Sequence, residues 1–418
     1  MELKRVVVTG LGAITPIGNT AKDFWKGLIN GKNGAGEITR FDSSMYKTHF
    51  ACEVKGYDPC DFFEKKDVRK YDRFAQFGMV AADQAIKDAR LNPVNTNYDE
   101  VGVFITSGIG GVNNFFNELM EFVDGGREPR FNPYFIPKMI VNMPGGLVSI
   151  KYGFHGPNFA TVSACASSAH AIIDAANYIR YGKASVIIAG GSEAAIGECG
   201  VGGFNSMHAL SLRNDDPLTA SRPFDKGRDG FVMGEGGGCI VLEELDHALA
   251  RDAKIYGELV GCGASADGYH ITAPHPEGYG AALSMNRALE DAGLRPEEVD
   301  HINAHGTSTP VGDQAEALAI QKVFGEHAYG ISINSTKSMT GHLLGGAGVV
   351  EAIATILALK HGIVPPTINH FEDDPNIDSR LDFTFGKAKK RDIKVALSNA
   401  FGFGGQNASI IFKKYTAE

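Results

Sequence analysis

One cysteine, two histidines and a lysine could together move an acyl group: Cys165 in ATVSACASSAH (160–170), His305 in NAHGTST (303–309), and Lys337 and His342 in KSMTGH (337–342). Thiolates, not thiols, attack acyl carbons, and free amides at the positive end of a helix stabilise them. Cys165 has that setting: a β-type pair, Thr161 and Val162, stops at Ser163. From Cys165 onward small and apolar residues recur at helical spacing through Ile172, Ile173, Ala176 and Ile179. The small neighbours Ala164, Ala166, Ser167 and Ser168 leave room for a substrate. Most free cysteines are only buried hydrophobes, and it is the company of Cys165 that sets it apart. His305 stands at a strand end among hydroxyls, and Lys337 and His342 stand just before a glycine-rich helix. SNAFGFGG (398–405) places a strand before a glycine-dense loop whose amides could bind an oxyanion. Together these read as a nucleophile site. Zinc is the competing reading of Cys165, His305 and His342, but their spacing is long, no fourth ligand is evident, and Lys337 opposes a cation.

The elements that must position these residues alternate between short β-rich runs and helical ones, the pattern of a layered α/β fold. Strands are expected at Arg5–Thr9, Val101–Thr106 and Ser185–Ala189, with helices at Lys22–Ile29 and Arg73–Ala89, and Gly238–Leu242 adds a further strand. A second series repeats that order: strand Glu258–Cys262, helix Ala281–Ala292, strands His301–Ala304 and Ile331–Asn334, a glycine-rich helix Gly345–Leu359, then strands Val395–Ser398 and Ala408–Phe412. Gly10-Leu11-Gly12-Ala13 and Gly263-Ala264 read as the turns that end the first strand of each series. The repeat implies an internal duplication. It divides the chain near 251–256 into a half at 1–254, carrying Cys165, and a half at 255–418, carrying His305, Lys337, His342 and the glycine loop.

At 418 residues the chain exceeds one ordinary core, in keeping with two units. Forty Lys and Arg against 49 Asp and Glu give a net charge of −9, which excludes a general attraction to nucleic acid or acidic membranes. An acidic partner must therefore find a local basic patch. Six cysteines without a CxxC pair fit a reducing compartment, so a cytoplasmic location is expected. The first residues, MELKRVVVTGLG, read as strand and turn rather than as a signal peptide, and no run approaches 18 uninterrupted apolar residues.

VSACASSAH, NAHGTSTPVGD, STKSMTGHLLGGAG and SNAFGFGGQNAS, in that order, resemble the four signature segments of the β-ketoacyl-acyl carrier protein synthases. The resemblance runs from Val6 to Ile411 and, through Ser107-Gly108-Ile109-Gly110-Gly111, points to the elongating, type II subgroup. It implies a five-layered α-β-α-β-α thiolase-like fold of two duplicated halves, a homodimer, and decarboxylative condensation of a malonyl-carrier with an acyl group held on Cys165. No redox or nucleotide cofactor is implied. The backbone N–H groups of Cys165 and Phe403 would form the oxyanion hole, with Gly402 and Gly404 freeing Phe403 to act as a gate. His305 and His342, as neutral imidazoles, would stabilise the enolate, and Lys337 would keep them neutral and oriented. Thr307 and Thr309 would bind the pantetheine arm, Phe204 and Thr272 would contact substrate, and Ile109 would line the acyl tunnel. Asn303, Glu351, Ser398 and Asn399 match positions that hold a water or a monovalent cation, or form a plain hydrogen-bond network. A polyketide ketosynthase would carry the same residues. A non-catalytic chain-length subunit would lack the cysteine.

The implied partner is an acidic acyl carrier protein, so the cationic run at 65–73 becomes the expected docking patch. Lys66, Arg69, Lys70 and Arg73 recur at three and four positions and share one face if that run begins the helix ending at Ala89. Arg130 would extend the patch. His208 stands where relatives carry a basic residue, which makes that contact dependent on pH.

Overall fold

The computed structural model describes residues 3–416. Nine strands form one mixed sheet: β1 (Val6–Ile14), β2 (Val101–Thr106), β3 (Val186–Glu193), β4 (Gly236–Glu244), β5 (Gly257–Ala266), β6 (His301–Asn303), β7 (Ser332–Asn334), β8 (Val395–Gly402) and β9 (Gln406–Lys413). Their spatial order is β2-β3-β4-β1-β5-β9-β8-β6-β7. In the first half β1 pairs antiparallel with β4, β4 antiparallel with β3, and β3 parallel with β2. In the second half β5, β9, β8 and β6 repeat that pattern, strand for strand and in the same chain order. The halves join where Val6, Val7 and Val8 of β1 lie opposite Leu259, Glu258 and Gly257 of β5.

Helices α1 (Arg73–Ala89), α2 (Val112–Asp124), α3 (Ser167–Arg180), α4 (Tyr279–Ala292), α5 (Pro310–Phe324) and α6 (Ala347–His361) complete the layers that bear on the site. α1 covers the outer face of the first half, and α4, with α5 beside it, covers that of the second. α3 and α6 pack on one another and against strands of both halves, making the middle layer. Every residue of α6 from Ala347 to Leu359 is buried. Such a helix is apolar on nearly every side, with Glu351 and Thr355 as the polar residues of that span. Leu344–His361 is accordingly long and apolar enough to cross a membrane, with mean hydropathy 1.3, but 89% of it is buried inside the protein as a core helix.

Two sequence expectations change here. Gly10 and Gly12 do not end β1, which runs on to Ile14 with a bulge between Val8 and Gly10. Their role is close approach: a Cβ on Gly12 would lie 1.9 Å from Ala81 O of α1, and one on Gly10 2.2 Å from Ala85 O. Gly261 and Gly263 repeat this in β5 against Ala288 O (2.3 Å) and Ser284 O (2.0 Å) of α4. The glycines therefore mark a duplicated strand-on-helix contact rather than a duplicated turn. The cationic run, secondly, is not one helix. A short helix ends at Val68, and Asp72 opens α1 by accepting from Phe74 N. Arg73 turns inward to Glu235 and lies over the rings of Tyr57 and Phe77, so it leaves the proposed face.

Candidate active site

Cys165 sits in a tight turn, 164–166, that runs into α3, so its amide is one of the unpaired donors of a helix start. Ala164 before it has a positive φ of 50°, and Ser167 Oγ ties the turn by donating to Ala164 O (2.7 Å) and accepting from Ser163 N (2.9 Å). Gly402, at the end of β8, lies directly over this turn. A Cβ there would meet Ser163 O at 2.5 Å and Cys165 N at 3.3 Å. Residues 403–405 then form the hairpin turn into β9, with φ of 86° at Gly404 and 73° at Gly405. That turn brings the Phe403 N–H to the Cys165 sulfur.

A cavity of about 380 Å³ opens on Cys165 and is lined by His305, His342, Thr307, Thr309, Phe204, Thr272, Leu344, Phe401, Gly402 and Phe403, among others. The two imidazoles stand edge to face, with ring centroids 5.3 Å apart. Lys337 is 1% exposed, pairs with the Glu351 carboxylate and places its Nζ 3.4 Å from His305 Nδ1. An ammonium only donates, so His305 must accept at Nδ1 and carry its proton on Nε2. Burial holds His305 and His342 well below the usual imidazole range, and Lys337 reinforces the shift for both. Both are neutral N–H donors at physiological pH.

For the thiol the sequence expectation needs correction. Burial pushes Cys165 up to about 12, against the opposing pull of Lys337 and the Phe403 N–H. The resting group is the neutral thiol, and its proton must leave as the acyl bond forms.

The sequence reasoning missed two buried carboxylates. Glu316 of α5 accepts from His305 N (2.8 Å) and Gly306 N (2.7 Å), holding the turn that presents His305, and burial raises it to about 7. Glu193, at the end of β3, holds a second turn at 107–110. Neither lies in a recognisable motif, and only the fold reveals what a glutamate in α5 or at the end of β3 can reach. Of the supporting residues, Asn399 donates to Glu316 and accepts from Ser409, while Asn303 Oδ1 and Glu351 Oε2 are buried oxygens without a hydrogen-bond partner among the described residues. Ser398 is buried next to Asn399 and lies opposite Asn303 where β8 pairs with β6. Two free oxygens fit a water or a monovalent cation, although Lys337 stands next to Glu351.

Ile109 is not brought to this cavity. Its amide donates to Glu193, and the residue is 40% exposed. Lys66 pairs with Glu64, Lys70 with Asp67 and Arg130 with Glu128, all on the surface, whereas Arg69 is exposed with no carboxylate partner among the described residues. His208 lines the cavity mouth with a left-handed φ of 54°.

A duplicated α/β fold with a buried thiol, two neutral imidazoles and an amide pair around one cavity defines a thiol-dependent acyl-transfer enzyme of the thiolase-like class. Family models for the beta-ketoacyl synthase N-terminal and C-terminal domains match residues 3–248 and 256–371. The chain belongs to the beta-ketoacyl synthase family of condensing acyltransferases. It is 54% identical over 415 residues to the 3-oxoacyl-[acyl-carrier-protein] synthase 2 of Synechocystis, covering 99% of each chain, and 48% identical over 414 residues to that of Coxiella burnetii, again covering 99% of each. Among solved structures, a beta-ketoacyl synthase from Burkholderia phymatum superposes with a TM-score of 0.92 at 35% identity, covering 99% of this chain and 100% of that one. The ishigamide ketosynthase/chain length factor does so with a TM-score of 0.92 at 33%, with the same coverage.

Proposed function

We propose that the chain elongates fatty acyl groups as a type II 3-oxoacyl-[acyl-carrier-protein] synthase. The observation that carries this reading is the convergence of a buried thiol, two amides and two neutral imidazoles on one cavity. Cys165 Sγ attacks the acyl-carrier thioester while the N–H groups of Cys165 and Phe403 hold the carbonyl oxygen as it becomes negative. The carrier thiolate leaves and takes up the thiol proton. A malonyl-carrier then enters, its carboxylate leaves as CO2, and the enolate oxygen is held by the N–H donors of His305 and His342. The enolate carbon bonds to the acyl carbon, and the departing Cys165 thiolate collects a proton from solvent. Lys337 fixes the His305 tautomer and keeps both rings neutral. Thr307 and Thr309, whose hydroxyls lie 3.0 Å apart, receive the pantetheine arm, with Phe204 and Thr272 beside it.

The partner is an acyl carrier protein. One structural neighbour, at 34% identity, is a type II PKS ketosynthase in complex with its acyl-carrier protein. Arg69, together with Lys66, Lys70 and Arg130, supplies the docking charge on this −9 chain. A second copy of the chain covers α2, where Phe115, Leu119, Met120 and Val123 are exposed and only Glu118 is buried. A face that apolar fits a homodimer. Asn303 and Glu351, next to Ser398 and Asn399, would hold a water or a monovalent cation that stiffens the network without entering the chemistry. The free cysteines suit a cytoplasmic setting.

A polyketide reading draws on the solved neighbours at 33–34% identity. The 48–54% relatives favour fatty acid elongation. The test is condensation of malonyl-carrier with acyl-carriers of graded length, which should yield 3-oxoacyl-carrier and CO2 from saturated chains. Turnover only of already ketonic chains would move the protein to the polyketide reading.

A further inference from the structure

The repeat can be followed residue by residue into the site. Cys239 of β4 lies opposite Gly12 and Gly190, and Ser409 of β9 lies opposite Gly263 and Asn399. Continuing each pairing to the strand ends makes Glu193 of β3 the counterpart of Gly402 of β8, since Glu193 faces Gly236 and Gly402 faces Gln406. The turn Ala164-Cys165-Ala166 that opens α3 has its counterpart in Leu344-Gly345-Gly346, which opens α6. Their first residues share an uncommon left-handed conformation, with φ of 50° at Ala164 and 48° at Leu344. Gly345 is thus the twin of Cys165.

The two sites differ in one respect. Over Cys165 the strand residue is Gly402, and the space above the Cys165 amide is left for a substrate. Over Gly345 it is Glu193, whose carboxylate accepts from Gly345 N at 3.0 Å. The same carboxylate accepts from Ser107 Oγ and from the amides of Gly108 (2.8 Å), Ile109 (3.2 Å) and Gly110 (3.2 Å). Among the described residues five donors and no acceptor face it, so the ionised form is the one this site satisfies, although burial raises the carboxyl above the usual range. Glu193 is fully buried.

We propose that Glu193 is a positioning residue for the condensation, filling the twin of the oxyanion site with its own carboxylate and so locking the Leu344 turn against Cys165. Leu344 lines the substrate cavity and packs in the same apolar cluster as Cys165, and His342 lies two residues before it. The Gly108 turn, held by the same carboxylate, abuts Ala164: a Cβ on Gly108 would meet Ala164 O at 3.2 Å. One anion therefore fixes turns on both sides of the nucleophile. Its charge also opposes a thiolate on Cys165.

The inference rests on Cys165 being the nucleophile, and iodoacetamide labelling of Cys165 in the wild type tests that separately. Glu193→Gln keeps the volume but sets an amide N–H₂ against backbone donors. It should lower kcat for condensation and for malonyl-carrier decarboxylation by about 10- to 100-fold, leave KM for carrier substrates within about twofold, and shift the pH profile of Cys165 alkylation to lower pH. Glu193→Gly should lose activity and regain at least tenfold in kcat with millimolar formate or acetate, but not with chloride at equal ionic strength. If Glu193→Gln does not fold, folding of Glu193→Gly must itself depend on formate. Wild-type kcat and an unmoved alkylation profile in Glu193→Gln, or a Glu193→Gly variant indifferent to carboxylates, would overturn the proposal. Failure to label Cys165 in the wild type would instead sink the proposed function.

Discussion

At the scale of single residues the chemistry depends on which protons are where. A thiol raised to about 12 by burial is ionised only to a small fraction at neutral pH, and that fraction grows tenfold per pH unit. Alkylation of Cys165 by iodoacetamide in the free enzyme should therefore rise about tenfold per unit between pH 7 and 9 with no plateau. A plateau near pH 7 would mean that the helix start overrides burial. The imidazoles carry the converse prediction. Because both are neutral donors, His305→Ala and His342→Ala should each slow malonyl-carrier decarboxylation by about 10²- to 10³-fold while acyl loading of Cys165 falls far less. Equal losses in the two half-reactions would remove them from the enolate step. Cys165, His305, Lys337 and His342 were legible in the sequence because each sits in a motif at a strand end or helix start. The elevated thiol, by contrast, was not. Helix position is local and visible, whereas desolvation by Phe204, Leu344, Phe401 and Phe403 arises from segments far apart in the chain.

At the scale of elements, glycine decides how closely helix and strand approach. Gly12→Ala and Gly263→Ala put a methyl against backbone oxygens at 1.9 and 2.0 Å, and each should cost about 1–3 kcal/mol of stability by denaturant titration. Gly146→Ala, with nothing within 4 Å, should be neutral or slightly stabilising. Equal stabilities of all three would contradict the close-approach reading. The succession of strands along both halves was readable from alternating runs and repeated glycines. The extension of β1 through Gly10 and Gly12 was not, since a glycine that breaks a strand and one that admits a helix look alike in sequence. The cationic run misled for a related reason: three- and four-residue spacing implies a shared face only within one helix, and Asp72 starts a new one.

At the scale of the whole molecule, a −9 chain must meet an acidic carrier through a local patch. With Arg73 turned inward, Arg69 and Lys66 are left to carry that role. Lys66→Glu with Arg69→Glu should raise KM for carrier-bound substrates at low salt and flatten its salt dependence, leaving Cys165 alkylation unchanged. An unchanged KM would place docking elsewhere. The partner's chemistry was readable from motifs, but its landing site was not, because ion pairs such as Lys66 with Glu64 form only on the folded surface.

The central claim is that an acyl chain is carried on Cys165 and leaves by condensation. Intact-protein mass spectrometry after incubation with acyl-carriers of graded length, followed by malonyl-carrier, tests it most directly. One acyl adduct per chain should form, map to Cys165 by peptide digestion, disappear on addition of malonyl-carrier, and be absent from Cys165→Ala. An adduct on Cys199 or Cys60, or condensation at wild-type rate by Cys165→Ala, would contradict it.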